Sequence, residues 1–304
     1  MFLDPALNHF AAEQPGLELR ERFLDLPAVR LHIVEAGPAD GKPVLLLHGF
    51  PEFWWGWRRQ IAPLAAAGRR VVVPDLRGYN LSGKPKGIRA YGLDPLTDDL
   101  RGLLDDVGPE SGPEPIDVVA HDWGGAVAWW GALRFPERIA RLAVLNIPHP
   151  AVMRHFLRHN REQRRRSRYI FYFQLPFLPE RKIRAGDFLG FRSIFKRSSR
   201  PGTFAPGDLE AYAGAARQPG ALTAMLNWYR AALWAPPARP AHRRVEPPLR
   251  LIWGLDDVAL GADMAAASIA RCREAELFRL PGAGHWVQHE AAEQVNRLLL
   301  DFLA

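Results

Sequence analysis

Short apolar runs alternate with amphipathic stretches along most of this chain. The runs lie at about 22–26 and in VRLHIVEAG (29–37), PVLLLHGF (43–50), RVVVPDL (70–76), IDVVAHD (116–122), LAVLNIP (142–148), LRLIWGL (249–255) and AELFRLPGAG (275–284). They are rich in Val, Ile and Leu with little two-residue alternation, as strands buried on both faces are. Between them, WRRQIAPLAAAG (57–68), LTDDLRGLLDDVG (96–108) and GGAVAWWGALRFPERI (124–139) carry apolar residues at helical spacing. AAEQVNRLLLDFLA (291–304) closes the chain as a helix with a leucine stripe. The pattern predicts an α/β fold: a mostly parallel eight-stranded sheet with helices on both faces.

The alternation stops between residues 149 and 243. That stretch shows no clear strand; it is rich in Arg, Phe, Pro and Tyr and reads as helices joined by Pro and Gly breakers. It ends in the linker-like APPARPAHRRVEPP (235–248), and strand character resumes at Leu249. The expected organisation is a core in two pieces, 1–148 and 244–304, with a helical cap, 149–243, inserted after the sixth strand. A chain of 304 residues is long enough for both.

Composition narrows the function classes. Hydrophobic residues make up 48% and charged residues 24%, the balance of a soluble globular protein. The net charge of +7 raises the question of nucleic acid or an anionic surface. Its densest source, RHNREQRRRSR (Arg158–Arg168), stands in no zinc-finger, RNP or helix-turn-helix frame and reads as a solvated helix face. No apolar stretch is long enough to cross a bilayer. Neither nucleic acid nor a membrane is expected as a partner. The one cysteine, Cys272, allows no intrachain disulfide. MFLDPALNHF lacks the basic and apolar regions of a signal peptide. A cytoplasmic monomer or homodimer is the expectation.

Three strand ends carry the candidate chemistry. IDVVAH runs into DWGGAVAW, so Asp122 stands at a tight corner between a strand and a helix that begins with the small Gly124 and Gly125. Such a corner points its side chain off the sheet, and the free amides at the helix start favour an anion. An N-cap aspartate is the plain alternative. LLLHGFPEFWWGW (45–57) ends a strand in His48-Gly49-Phe50-Pro51. The backbone N–H of Phe50 and that of Trp123 are the expected oxyanion hole. LPGAGHWVQHE (280–290) ends the last strand in a Gly-rich turn bearing His285, late in the chain as the base of this arrangement falls. A core histidine is the alternative there; His289 and His149 lack that setting. A carboxylate must orient such a histidine. None lies between Ala143 and Met153, and LIWGLDDVAL offers Asp257, at the usual turn spacing, with Asp256 as the fallback.

In this order, HGFP, PDLRGYNLSGKP, HDWGG, WGLDD and GHW resemble the epoxide hydrolase branch of the α/β-hydrolase family, over nearly the whole chain. The resemblance implies a core with a helical cap, an Asp nucleophile and two cap tyrosines that donate to the epoxide oxygen. RYIFYFQLP (168–176) is similar to the first tyrosine segment and puts Tyr169 at the matching position, with Tyr172 as the local competitor. LNWYR (226–230) is similar to the second and gives Tyr229. Aromatics at helical spacing are otherwise core. Haloalkane and fluoroacetate dehalogenases share the Asp nucleophile. The fluoroacetate enzymes carry Arg just after it, where this chain has Trp123. The haloalkane enzymes often pair a Trp there with an Asn after His-Gly, where this chain has Phe50. A haloalkane or haloacid dehalogenase is the alternative function, and a non-catalytic binding protein on the same fold is a third. Inside RGYNLSG, Asn80 stands where glycine is common; Asn tolerates left-handed backbone angles.

The nucleophile sets the chemistry. A carboxylate of ordinary pKa about 3.9 is ionised at pH 7 by roughly three orders of magnitude, so it attacks without a base. Its target is a saturated carbon, and the product is an alkyl–enzyme ester. His285, held by Asp257, then activates a water while Phe50 and Trp123 stabilise the oxyanion. The expected reaction turns an apolar epoxide and water into a vicinal diol, with no cofactor and no metal. Pro51, Phe171, Trp228 and Trp286 are the expected pocket lining, with Phe173 and Phe177 as further cap aromatics.

Overall fold

A computed structural model describes residues 1–108 and 114–304. All eight expected strands are present: β1 (Leu19–Leu26), β2 (Val29–Ala36), β3 (Lys42–Leu47), β4 (Arg69–Pro74), β5 (Ile116–His121), β6 (Ile139–Leu145), β7 (Leu249–Gly254) and β8 (Ala275–Leu280). They form one sheet in the order β1-β2-β4-β3-β5-β6-β7-β8. β1 pairs antiparallel with β2, and β2 with β4. Every pairing from β4 to β8 is parallel. Burial explains the sequence pattern. All residues of β5 and β7 are buried, so both read as apolar runs, interrupted only by Asp117 and His121 in one and Arg250 in the other. β1, at the sheet edge, is only half-buried and reads weakest.

Helices link the strands. α1 (Pro5–Glu13) has no counterpart in the apolar pattern: it buries only Leu7 and Phe10, and the Asp4 side chain caps it. α2 (Arg58–Ala66), α3 (Leu93–Val107) and α4 (Asp122–Arg134) occupy the amphipathic stretches.

Between β6 and β7 the chain is helical: α5 (Pro150–His159), α6 (Arg161–Arg166), α7 (Arg168–Tyr172), α8 (Leu178–Ser198), α9 (Pro206–Arg217) and α10 (Ala221–Trp234). α8 is two pieces, broken at Ala185–Phe188, where Gly186, Asp187 and Phe188 turn left-handed. The basic run around α6 exposes Arg161, Arg164 and Arg165 and buries Gln163 and Ser167. Glu162 pairs with Arg165 and Arg166 on the same helix. α11 (Asp263–Ile269), α12 (Val287–Glu290) and α13 (Ala292–Leu303) complete the chain.

Hydrogen bonds fix the inserted helices to the sheet's loops. Tyr212 donates to Glu52 at 3.0 Å and Trp228 to the Arg77 carbonyl at 3.0 Å. Trp286 donates to the Ser198 hydroxyl at 2.9 Å. Gln163 accepts the Gly261 N–H and donates to the Ala259 carbonyl. Among the described residues, no helix is long and apolar enough to cross a membrane.

Candidate active site

β5 stops at His121 and α4 starts at Asp122 with nothing between them. The sharp corner falls on Asp122, whose φ is +47°. A non-glycine residue held there stores roughly 1–2 kcal/mol. The carboxylate meets the loop after β3, where the Phe50 N–H donates to Oδ1 at 2.9 Å. That approach needs small neighbours. A Cβ on Gly49 would stand 2.8 Å from Asp122 Oδ1, and one on Gly124 would run into the carbonyls of Leu47 and His48. The Trp123 N–H, in the first turn of α4, has no protein acceptor among the described residues.

His285 sits opposite. Its Nδ1 is 2.8 Å from Asp257 Oδ2, and its Nε2 is 3.6 Å from Asp122 Oδ2, an ion-pair separation longer than a hydrogen bond. Asp257 is buried and fully engaged. Oδ1 accepts the N–H groups of Ala259 and Leu260, and Oδ2 accepts Asn146 Nδ2 at 2.8 Å. Asp256 is exposed, so the partner of His285 is Asp257 and the fallback drops out. The competing histidines are accounted for. His289 pairs with Glu52, and His149 caps α5 through the Ala151 N–H. Burial lowers both to about 4.

Burial opposes charge throughout this site, and the neighbours overcome it. For Asp122, the nearby His285 and His121 rings and the Phe50 amide hold the carboxyl below its ordinary 3.8. For His285, Asp257 first and Asp122 with it hold the imidazole well above 6.5. Both shifts favour the charged forms, an imidazolium between two carboxylates.

Tyr169 and Tyr229 come together from α7 and α10, ring centroids 5.8 Å apart. Tyr229 packs edge-on against Phe50 at 5.0 Å and Trp123 at 5.2 Å, the two residues that flank the Asp122 carboxylate. Burial raises both phenols, and the Asp122 charge pushes them higher still, so both remain protonated. Tyr172 does not join them: its hydroxyl is buried without a partner among the described residues, and Lys182 lies over its ring.

Of the expected lining, Pro51, Trp228 and Trp286 are buried. Trp228 stands behind Trp123, and the Trp286 ring is 5.0 Å from His285. Phe171 is a correction: it is 56% exposed. Tyr169 on α7 and Phe173 just past its end, four residues apart, share one face, and Phe171 lies on the other side. Phe177 is exposed as well.

The comparisons fit this geometry. Residues 42–292 match the family model of the alpha/beta hydrolase fold. The AB hydrolase superfamily protein YfhM of Bacillus subtilis is 44% identical, over 93% of this chain and 97% of its own. Epoxide hydrolase A of Mycobacterium tuberculosis is 35% identical, over 93% of this chain and 97% of its own. The chain belongs to the α/β-hydrolase family, in its epoxide hydrolase branch. Among solved structures, the Bacillus megaterium epoxide hydrolase in complex with an inhibitor superposes with a TM-score of 0.83 at 29% identity, covering 93% of this chain and 99% of that one.

Two parts of this hydrolase's site escape the sequence motifs. Asn146 is one. Fully buried at the end of β6, it holds Asp257 with its amide and the Gly254 N–H with its carbonyl. Glu52 is the other. Its carboxylate takes His121 Nδ1, Gln288 Nε2, His289 Nε2 and the Tyr212 hydroxyl, and His121 Nε2 meets the His285 carbonyl at 2.9 Å. Burial would raise Glu52, but His121 and His289 hold it well below the carboxylate range. A lone carboxylate inside the aromatic FPEFWW was its one signal.

Asp4, His32 and Asp75 cluster closely enough for a metal. Their oxygens already take N–H groups of Trp54 and Asn80, and a His32 held protonated is not a ligand.

Proposed function

We propose that this hydrolase converts a small apolar epoxide and water to a vicinal diol through a covalent ester on Asp122. The observation that carries the proposal is the pair of protonated phenols, Tyr229 buried and Tyr169 half-buried, beside the Asp122 corner. An epoxide oxygen leaves carbon as an alkoxide and needs a proton donor, whereas a halide does not. Trp123 stands where the fluoroacetate dehalogenases carry Arg; the haloalkane dehalogenases share that Trp, but Phe50 replaces the Asn that is their second halide donor.

In the first step an Asp122 oxygen attacks an epoxide carbon and the carbon–oxygen bond opens. Tyr169 or Tyr229 gives its proton to the alkoxide. Asp122 is then a neutral ester, so His285 loses one of the two charges that kept it protonated. Its proton returns to the tyrosinate, and His285 becomes a base. In the second step His285 takes a proton from water, and hydroxide adds to the ester carbonyl. The Phe50 and Trp123 N–H groups receive the oxyanion. Collapse breaks the ester C–O bond, the proton of the added hydroxyl passes to the departing diol oxygen, and an Asp122 carboxylate remains beside an imidazolium, the resting state. Asp257 orients the ring throughout.

In this proposal residues 149–243 are the cap and carry the epoxide donors, while 1–148 and 244–304 are the core and carry the ester chemistry. Its setting is cytoplasmic, as a monomer or homodimer. Trp228 and Trp286 back an apolar pocket.

Two experiments test it. His285→Gln with styrene oxide should accumulate a covalent adduct by intact-mass spectrometry and form no diol. Single turnover in heavy-oxygen water should put the label into Asp122. A labelled diol with unlabelled Asp122 would mean direct attack by water. Chloride release from chlorobutane without diol formation from styrene oxide would establish the dehalogenase instead.

A further inference from the structure

The helices between β6 and β7, with Ile88 from the segment after β4, line an open cavity that the proposed chemistry does not use. Its volume is about 730 Å³, and neither Asp122 nor Tyr169 nor Tyr229 lines it. Small-molecule sites run from roughly 300 to 1,000 Å³. One wall is α10, which presents Asn227, Arg230 and Trp234 at helical spacing. Tyr229 lies on the other side of the same helix, against Trp123. The first half of α8 forms the facing wall.

The charges there are unequal. Arg230 and Glu180 are buried and pair at 2.7 Å. Arg230 is saturated, since it also donates to the carbonyls of Phe173 and Leu175 and to Asn227 Oδ1. That pair offers a ligand no spare charge. Arg181 and Arg184 also line the cavity, both exposed, and neither has a carboxylate within 4.0 Å among the described residues. Asn227 is 8% exposed, and its amide nitrogen has no protein acceptor among the described residues.

The rest of the lining is apolar and open. Phe177 is 84% exposed and Trp234 69%. Phe177 is also held left-handed, at φ +60°. Large aromatics left in water beside two unpaired guanidinium groups suit a ligand with one anionic end and an apolar body.

We propose that this cavity binds an amphipathic monocarboxylate, its head paired with Arg181 and Arg184 and its body against Phe177 and Trp234, at a site separate from the Asp122 centre. Two fixed positive charges select the carboxylate, and planar guanidinium groups grip it in bidentate fashion. The aromatic walls supply most of the affinity and no charge preference.

Isothermal titration of the full chain with monomeric dodecanoate tests this. Dodecanol and dodecyltrimethylammonium serve as neutral and cationic controls. Dodecanoate should bind about tenfold or more tighter than dodecanol, with the difference shrinking as salt is added. The Arg181→Ala/Arg184→Ala double variant should lose that difference while keeping its unfolding temperature. Trp234→Ala should weaken dodecanoate and dodecanol alike. Equal binding of dodecanoate and dodecanol would overturn the proposal. So would dodecanoate affinity unchanged in the double variant, which would put the ligand elsewhere in the molecule. Binding only to phosphatidylglycerol vesicles, with none to the monomer, would make the surface a membrane contact and overturn it equally.

Discussion

Replacing Asn146 with alanine measures how far the His285–Asp257 geometry rests on one buried amide. The side chain is fully buried and makes two strong bonds, 2.8 Å to Asp257 Oδ2 and 2.8 Å from the Gly254 N–H. Losing a bond to an ionised group costs roughly 1.5–3 kcal/mol, and leaving a buried N–H without an acceptor costs roughly 1–3 kcal/mol. The backbone adds to this. Asn146 has φ +43°, an angle that costs alanine roughly 1–2 kcal/mol. The sum is about 4–8 kcal/mol, against a folding stability of roughly 5–15 kcal/mol. Water entering the vacated space recovers part of it, so the expected loss is about 4 kcal/mol. Equilibrium urea denaturation followed by circular dichroism gives the number. Asn146→Gly separates the causes, because glycine removes the backbone cost and neither hydrogen-bond cost. It should remain at least about 2 kcal/mol below the parent chain. If Asn146→Gly unfolds together with the parent chain, or Asn146→Ala loses under about 1 kcal/mol, the two bonds are not what holds Asp257 in place.

Tyr229→Phe should slow ester formation by about 10²–10³-fold, the usual effect of deleting one donor to a developing oxyanion, and leave ester hydrolysis unchanged. Rapid-quench measurements separate the steps, and equal slowing of both would assign Tyr229 a packing role only. Asp122 is held below 3.8, so it is nucleophilic above that value and loses reactivity only as pH falls through it. Pre-steady-state ester formation should then be flat between about pH 5 and 8; a fall centred near neutrality would place a different titrating group in the first step. His32, 2.7 Å from Asp75 and 3.0 Å from Glu21, resists its burial and is raised from 6.5 to about 9. Its contribution is complete below 6.5 and is lost as pH rises through about 9, a drop of about 3 kcal/mol. Denaturation midpoints across that window should fall for the parent chain and not for His32→Gln; parallel curves would mean His32 is uncharged in the fold.

The strands were legible because burial on both faces of a parallel sheet writes itself as apolar runs, and Val44–Leu47 of β3 and Val71–Val73 of β4 are the clearest cases. Their order was not legible. β4 lies between β2 and β3 in space, and nothing local in RVVVPDL records that. Asp122 and His285 were readable because each sits at a strand end beside small residues, a local arrangement. Asn146 was not, because its task arises only when β6 and β7 pair and bring their following loops together. The same holds for Glu52, whose partners come from β5, α9 and α12. Phe171 misled for the opposite reason. Aromatic composition marked the segment, but only the turn of α7 decides that Tyr169 and Phe173 face in and Phe171 faces out.

Neighbouring parallel strands are ordinarily joined by a crossover of about a dozen residues. Here β6 and β7 keep that pairing, Leu142 to Leu145 beside Leu249 to Ile252, while residues 146–248 run between them. The sheet is indifferent to how long that detour is. Phe50, Asp122, Asp257 and His285 all stand outside α5 to α10, whereas Tyr169 and Tyr229 stand on them. Under the proposed mechanism the detour is an exchangeable cassette, and its replacement tests the division of roles. A transplanted set of helices that kept the contacts of Tyr212, Ser198 and Gln163 with the sheet's loops would inherit the Asp122 corner and its histidine intact. It could bring a different proton donor, or a differently shaped roof, to the same nucleophile.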